Sequence, residues 1–374
     1  MLRMSRGNFS FPTSVSYGPG CLQELDGVLD GLKVRKPLLV TDPGLLSTPV
    51  VEAVKKAAGR SCVVFSEVHG NPVEVDVESG TAAFRQGGCD GVLGVGGGSA
   101  LDVAKIIRAR AAKPEVKLAD FYSVKEWPFL APFVAIPTTA GTGSEVGRSS
   151  VIGLGGKKQV FFHPSLLAAK VLLDPELTVG LPAGLTAATG MDAFTHCVES
   201  YASPVFHPLC DGIALEGARI VLEFLPQAVK NGKDLEARGQ MQVAAAMGGI
   251  AFQKDLGAVH SMSHPLSALF GMHHGLANAL TLVAVMEFNA KRKPGLYERL
   301  GRALGLSDTS DAGVIARVKK LLQECGIQGG VGAHKVTDKD VAKLAAAAME
   351  DSCHATNPVK VTVKDFEELY RRCL

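Results

Sequence analysis

The chain has 374 residues, of which 47% are hydrophobic and 20% charged; this is enough apolar material for two cores and argues against a largely disordered protein. A formal net charge of +2, with Lys and Arg interspersed among Asp and Glu, excludes nucleic acid or an anionic membrane as the expected main partner and favours a small soluble molecule. No apolar run is long enough to span a bilayer, MLRMSRGNFSF lacks a signal-peptide core, and the eight cysteines contain no CxxC pair, so a cytoplasmic chain with buried free thiols is expected.

In chain order, the β-prone start NFSFPTSVSYGPG suits either a local hairpin or a strand added across a subunit interface. PLLVTD at 37–42, SCVVFSEV at 61–68, GVLGVGGG at 91–98 and PFVAIPTTAG at 132–141 then read as buried strands ending in polar or glycine-rich turns. Helices are expected between them at 48–59, 76–87 and 99–111. VIGL and KVLLDP predict one strand before and one after a loop containing GGKKQVFFHP. Beyond LDPELTVGLP, β-branched runs become sparse and helices are predicted at 184–202, 208–231, 236–254, 274–291 and 311–324. The expected organisation is an α/β layered domain over 1–180 and an all-helical domain over 181–374. Such an arrangement would bring the later histidines against the carboxyl-terminal edge of the sheet, where open α/β folds bind ligands.

Two segments of the first half suit phosphate. GVLGVGGGSALDVAK sets Gly96, Gly97, Gly98 and Ser99 between a strand and a helix expected near Ala100, where glycines allow close approach and helical N–H groups face an anion. IPTTAGTGSEV adds Thr138, Thr139, Thr142 and Ser144 after another strand. A tight turn and hydroxyl loop caps are the bland alternatives. The GxxxxGK[ST] spacing of a P-loop is absent, which lowers the case for an NTP hydrolase. Asp42, ending LLVTD, can accept hydrogen bonds from an adenosine ribose and would repel a 2′-phosphate, favouring NAD over NADP. Capping of the turn before Pro43 competes with that role, and Asp42 precedes the glycine loop by more than 50 residues, unlike the usual fingerprint.

The second half carries metal-binding chemistry. GMDAFTHCVES places Asp192 and His196 four residues apart, hence on one helical face, and VHSMSHPLSALFGMHHG supplies His260 and His274. One carboxylate and three imidazoles in apolar surroundings can hold a divalent metal. His274 fits the spacing better than its neighbour His273, which is left to a supporting or substrate-facing role. Cys197 beside His196 reads as packing, since helical neighbours point about 100 degrees apart.

The ordered set YGPG, LLVTDPGL, GVGGGSALDVAK, IPTTAGTGSE, LLDPELT, GMDAFTHCVESY, VHSMSHPL, MHHGLANA and DSCHATNP resembles the iron-containing, or group III, alcohol dehydrogenase family over nearly the whole chain. The resemblance implies a Rossmann-like nucleotide domain followed by a helical metal domain. It puts the metal on Asp192, His196, His260 and His274, and the cofactor on Asp42, Gly97, Gly98, Ser99, Thr138 and Thr139, with Ser144 and Lys158 as further contacts. His264 resembles the family histidine beside the metal and nicotinamide and is assigned the proton exchange. The implied cofactors are NAD, with NADP as the alternative, and Fe2+, with Zn2+ or another divalent ion as the alternative. A homodimer is implied as well.

The expected reaction is hydride transfer between NAD(H) and a small primary alcohol or its aldehyde. Phe162, Phe252, Leu256, Phe270 and Met272 would suit an aliphatic substrate, whereas His163, Lys254 and His354 would favour an anionic one such as a hydroxyacid semialdehyde or phosphonate aldehyde. His354 in DSCHATNP departs from relatives that carry a non-basic residue there. A lyase resembling dehydroquinate synthase and a pure binding module are the competing classes, since fold alone does not decide chemistry.

Overall fold

Among the described residues, nine short strands carry the first half of the chain: β1 (Gly7–Phe9), β2 (Val15–Tyr17), β3 (Pro37–Val40), β4 (Val63–Phe65), β5 (Gly91–Gly96), β6 (Phe133–Pro137), β7 (Ser149–Leu154), β8 (Lys157–Phe162) and β9 (Lys170–Leu173). The structure is a computed structural model that describes residues 7–9, 13–124, 126–155 and 157–374. Seven strands form one sheet in the order β1-β2-β9-β6-β5-β3-β4, parallel throughout except for β1. Leu38, Leu39, Val40, Leu93, Val95, Ala135 and Ile136 have no exposed surface, as expected of continuous apolar strands covered on both faces.

Numbered among themselves, the five strands β3, β4, β5, β6 and β9 run 2-1-3-4-5, a doubly wound order whose direction reverses between β3 and β5. Ligands bind at such reversal points, outside the carboxyl ends of the strands. The ends of β3 and β5 are Val40, two residues before Asp42, and Gly96, which opens the glycine turn. Strand order thus brings together two segments separated by more than 50 residues of sequence.

One expectation needs correction, and one that was left open is decided. GGKKQVFFHP is not a loop between two sheet strands: β7 and β8 pair antiparallel, Ser149 with Phe162 through Leu154 with Lys157, as a separate two-stranded ribbon. Gly155, at φ +55, supplies the left-handed turn, and period-two alternation continues beyond it, with Phe161 buried between exposed Val160 and Phe162. At the start of the chain, β1 pairs with β2 within the same chain, Gly7 with Tyr17 and Phe9 with Val15. The rest of that stretch, residues 10–12, lies outside the described residues, as does MLRMSR.

The second half is helical. Its main helices are Ala183–Ala202, Pro208–Lys230, Leu235–Ala251, Ala258–Phe270, His274–Arg292, Asp311–Glu324, Val341–Glu350 and Val363–Cys373. One large core joins them, with Phe194, Leu225, Leu266, Leu282 and Phe366 fully buried. Ala258–Phe270 carries no long aliphatic stripe and holds an internal proline, Pro265, which obscures it in the sequence. The described chain divides into two compact units, one within 1–139 and 143–181, the other Ala140–Thr142 with Pro182–Leu374. Among the described residues, no helix is long and apolar enough to cross a membrane.

Candidate active site

At the reversal point of the sheet, glycine geometry follows from contacts. Gly96 sits at φ +149, and a Cβ there would stand 2.8 Å from the Ala100 Cβ and 3.5 Å from Asp42 Oδ2. Gly97 caps the helix Gly98–Ala112, and a Cβ on it would meet Thr139 Cγ2 at 3.4 Å. The Thr138 N–H donates to the Gly96 carbonyl (3.0 Å). Asp42, Gly96–Ser99 and Thr138–Thr139 therefore share one edge, with a helix amino terminus opening onto it. Asp42 also caps its own turn, since Oδ1 accepts from the Leu45 N–H at 3.0 Å. The Ser99 hydroxyl donates to the Gly70 carbonyl (2.7 Å).

Ser144 and Lys158 sit differently. The Ser144 hydroxyl donates to Asp102 Oδ1 (2.6 Å) and accepts from Lys105 Nζ (2.8 Å), which also donates to the carbonyls of Ser144 and Ser149. Lys105 has no exposed surface, and burial pushes its pKa down while pushing Asp102 up. Neighbouring Glu145 is also buried, and desolvation raises its carboxyl to about 7. Lys158 pairs with Gly153 across the β7–β8 ribbon.

In the helical unit, three helices each present an i,i+4 pair: Asp192 and His196, His260 and His264, His274 and Asn278. Asp192 Oδ1 stands 3.7 Å from His196 Nε2, 3.9 Å from His260 Nε2 and 3.6 Å from His274 Nε2. Two donors each about 2.1 Å from one ion at the tetrahedral angle would lie roughly 3.4 Å apart, so each of these distances from Asp192 Oδ1 is within a few tenths of an ångström of a shared divalent cation. Asp192, His260 and His274 form the tightest trio, while the His196 ring stacks on that of His260 at 4.8 Å. Burial lowers the His196 pKa to about 4, which keeps its nitrogen lone pair free at neutral pH.

Two acidic residues missed by sequence reasoning hold these rings. Glu199 Oε2 lies 2.5 Å from His260 Nδ1, and its Oε1 accepts from the Val259 N–H at 2.7 Å. Burial acts to lower the His260 pKa, but the charge and hydrogen bond of Glu199 outweigh it and the net shift is upward. Donation from Nδ1 to Glu199 leaves Nε2 turned toward Asp192, the arrangement that metal-binding histidines require. Glu199 lies seven residues after Asp192 on the same helix, a helical spacing that could have flagged it. Asp351 accepts from His264 Nδ1 (2.7 Å), the Ser261 hydroxyl (2.8 Å) and the Cys353 N–H (2.9 Å). Burial would raise Asp351, yet these partners hold it well below the usual carboxylate range. The His264 ring stacks against that of His274 at 5.3 Å.

His273 is exposed at the start of the His274–Arg292 helix. The candidate anion-binding residues are otherwise engaged. His354 Nε2 is 3.1 Å from the Met349 carbonyl with its ring edge-on to Phe366, Lys254 pairs with Asp211 while buried, and His163 Nδ1 accepts from the Ser165 N–H. Among the apolar candidates, Phe252 packs on the His196 ring at 5.3 Å. Met272 belongs to the helical core, and exposed Phe162 lies under Arg148.

Residues 12–175 match the family model described as iron-containing alcohol dehydrogenase, and residues 186–374 match that of the Fe-containing alcohol dehydrogenase family, C-terminal. The chain is 39% identical to a 4-hydroxybutyrate dehydrogenase of Cupriavidus necator, over 97% of this chain and 98% of the relative. It is 35% identical to an NAD-dependent methanol dehydrogenase of Bacillus methanolicus, over 98% and 100%. A crystal structure of a 1,3-propanediol oxidoreductase superposes over 100% of both chains with TM-score 0.92 at 33% identity. These matches favour net oxidoreduction over the lyase and binding-module readings. With two models matched in order along nearly its whole length, the chain belongs to the iron-containing alcohol dehydrogenase family.

Proposed function

We propose that this enzyme interconverts a small primary alcohol and its aldehyde by hydride exchange with NAD(H), using a divalent metal held by Asp192, His196, His260 and His274. The observation that carries the reading is the single carboxylate oxygen of Asp192 facing three imidazole Nε2 atoms at 3.6 to 3.9 Å in a buried setting. A bound divalent ion supplies Lewis acidity, which favours the ionised form of an alcohol and polarises an aldehyde carbonyl. The donor set suits Fe2+ and also Zn2+.

The protein's own groups do the rest. Gly97, Gly98 and Ser99 at the helix amino terminus, with Thr138 and Thr139 beside them, receive the dinucleotide phosphates. Asp42 accepts the ribose hydroxyls and disfavours a 2′-phosphate. Ser144 and Lys158 complete the cofactor contacts, Ser144 from within the Asp102–Lys105 network. His264, held by Asp351 through Nδ1, is assigned the proton exchange with solvent. Phe252 gives the substrate an apolar neighbour, with His273 assigned to its polar end and His354 able to join it only by giving up its contact with the Met349 carbonyl. We further propose a cytoplasmic homodimer: the eight cysteines form no disulfide, and among the described residues β1 stands at the edge of the sheet.

A second reading, a substrate with a carboxylate at its far end, is favoured by the 4-hydroxybutyrate dehydrogenase relative. NADH oxidation measured with matched four-carbon aldehydes, with and without a terminal carboxylate, separates the two. Faster kcat/KM on the neutral aldehyde is expected, and the reverse order would establish the anionic class. Repeating the assay with NADPH and with Asp42→Ala tests the cofactor reading: NADH should be preferred, and the substitution should erode that preference. An unchanged ratio would remove Asp42 from cofactor selection.

A further inference from the structure

We infer that Asn278 competes with the metal for its own ligands, so that its side-chain amide limits how tightly the site holds an ion. The inference rests on the metal reading above. Asn278 has no exposed surface and follows His274 by one helical turn. Its Nδ2 lies 2.7 Å from Asp192 Oδ1, 3.3 Å from His260 Nε2 and 3.3 Å from His274 Nε2. These are the same three atoms that a cation at this site would take.

The direction of these contacts follows from chemistry. His260 Nδ1 is engaged by Glu199, so its Nε2 presents a lone pair and Nδ2 of Asn278 must donate. An amide nitrogen has two hydrogens, which here serve three acceptors. Each imidazole nitrogen has a single lone pair, which when aimed at an N–H is not at the same time available to a cation, so amide and metal exclude each other at His260 Nε2 and His274 Nε2, while Asp192 Oδ1 has lone pairs for both.

A second observation points the same way. Asn278 Oδ1 is buried and has no hydrogen-bond partner among the described residues. Turning the amide over would put that oxygen against three acceptors, which is worse than leaving it unpaired. The orientation is therefore dictated by the ligand lone pairs. Once a cation takes them, the side chain is free to rotate, keeping at most its bond to Asp192. A residue that only oriented Asp192 would strengthen metal binding, whereas a competitor weakens it, and the two roles predict opposite signs.

The test compares the full-length protein with Asn278→Leu, which keeps volume but removes the amide, and with Asn278→Ala, which carries the test if the leucine variant does not fold. Zn2+ affinity is read by competition with a chromophoric chelator, and thermal unfolding is followed with and without Zn2+. Each folded variant is expected to bind Zn2+ about tenfold more tightly than wild type, equivalent to about 1.4 kcal/mol, and to gain more in Tm from the ion. Unchanged or weaker binding would overturn the inference. A His260→Ala control keeps the two readings apart: if it and the wild type hold Zn2+ alike, the metal site itself is wrong and the inference falls with it.

Discussion

At the scale of single residues, the partners that orient the ligands matter as much as the ligands. Glu199→Gln removes the charge that fixes His260, and such substitutions typically cost about 10- to 100-fold in metal affinity. Titration with Zn2+ against a chelator should show that loss, and an unaltered affinity would make Glu199 a packing residue only. Glu145 provides a pH test. Its carboxyl, raised by burial from 4.5 to about 7, binds its proton more tightly in the folded than in the unfolded chain. Its ionisation therefore lowers stability as pH rises from about 4.5 to about 7, by about 3 kcal/mol in all. Glu145→Gln should match wild type in Tm near pH 5 and exceed it near pH 8; equal values at both would refute the shift. The candidate ligands were legible as a group because imidazoles and a carboxylate in apolar runs need a reason to be there, and the structure brings their side chains together. Asp351 was not, because its partner His264 lies 87 residues away and an isolated polar residue reads as a cap or a solvated face, whereas Glu199 and Asn278 stand at helical spacing from Asp192 and His274, a weaker signal than a histidine in an apolar run.

At the scale of elements, the site depends on how closely two helices approach. A Cβ on Gly275 would stand 2.2 Å from the Ala188 carbonyl oxygen and 3.1 Å from the Asp192 Cβ, so only glycine lets the His274 helix lie against the Asp192 helix. Gly275→Ala should push the two apart, cost roughly 1–3 kcal/mol or more, and weaken Zn2+ binding at least about tenfold, since a displaced first-contact group loses its bond. Calorimetric titration checks this, and full affinity in a folded variant would show that the helices adjust freely. Strand and helix positions were mostly readable from periodicity. The β7–β8 ribbon was not, because the GGKK sequence masks its turn, and neither was the proximity of Asp42 to the glycine turn, which depends on strand order that no local pattern encodes.

At the scale of the whole molecule, the candidate metal ligands come from three helices of one unit, while the proposed nucleotide contacts lie in the other. Metal should therefore slow hydrogen exchange first in Ala183–Ala202, Ala258–Phe270 and His274–Arg292, and at a thousandfold excess over Kd should stabilise the folded chain by about 4 kcal/mol. Protection spread evenly over both units would contradict a site confined to the helices. The most direct measurement is NADH oxidation with an aliphatic aldehyde as metal-stripped protein is reloaded with increasing Fe2+ or Zn2+, beside a folded His260→Ala variant. Activity should rise in proportion to bound metal, level off at one ion per chain and be absent from His260→Ala. Undiminished turnover by the stripped protein or by His260→Ala would contradict a metal-dependent alcohol dehydrogenase built on these four residues.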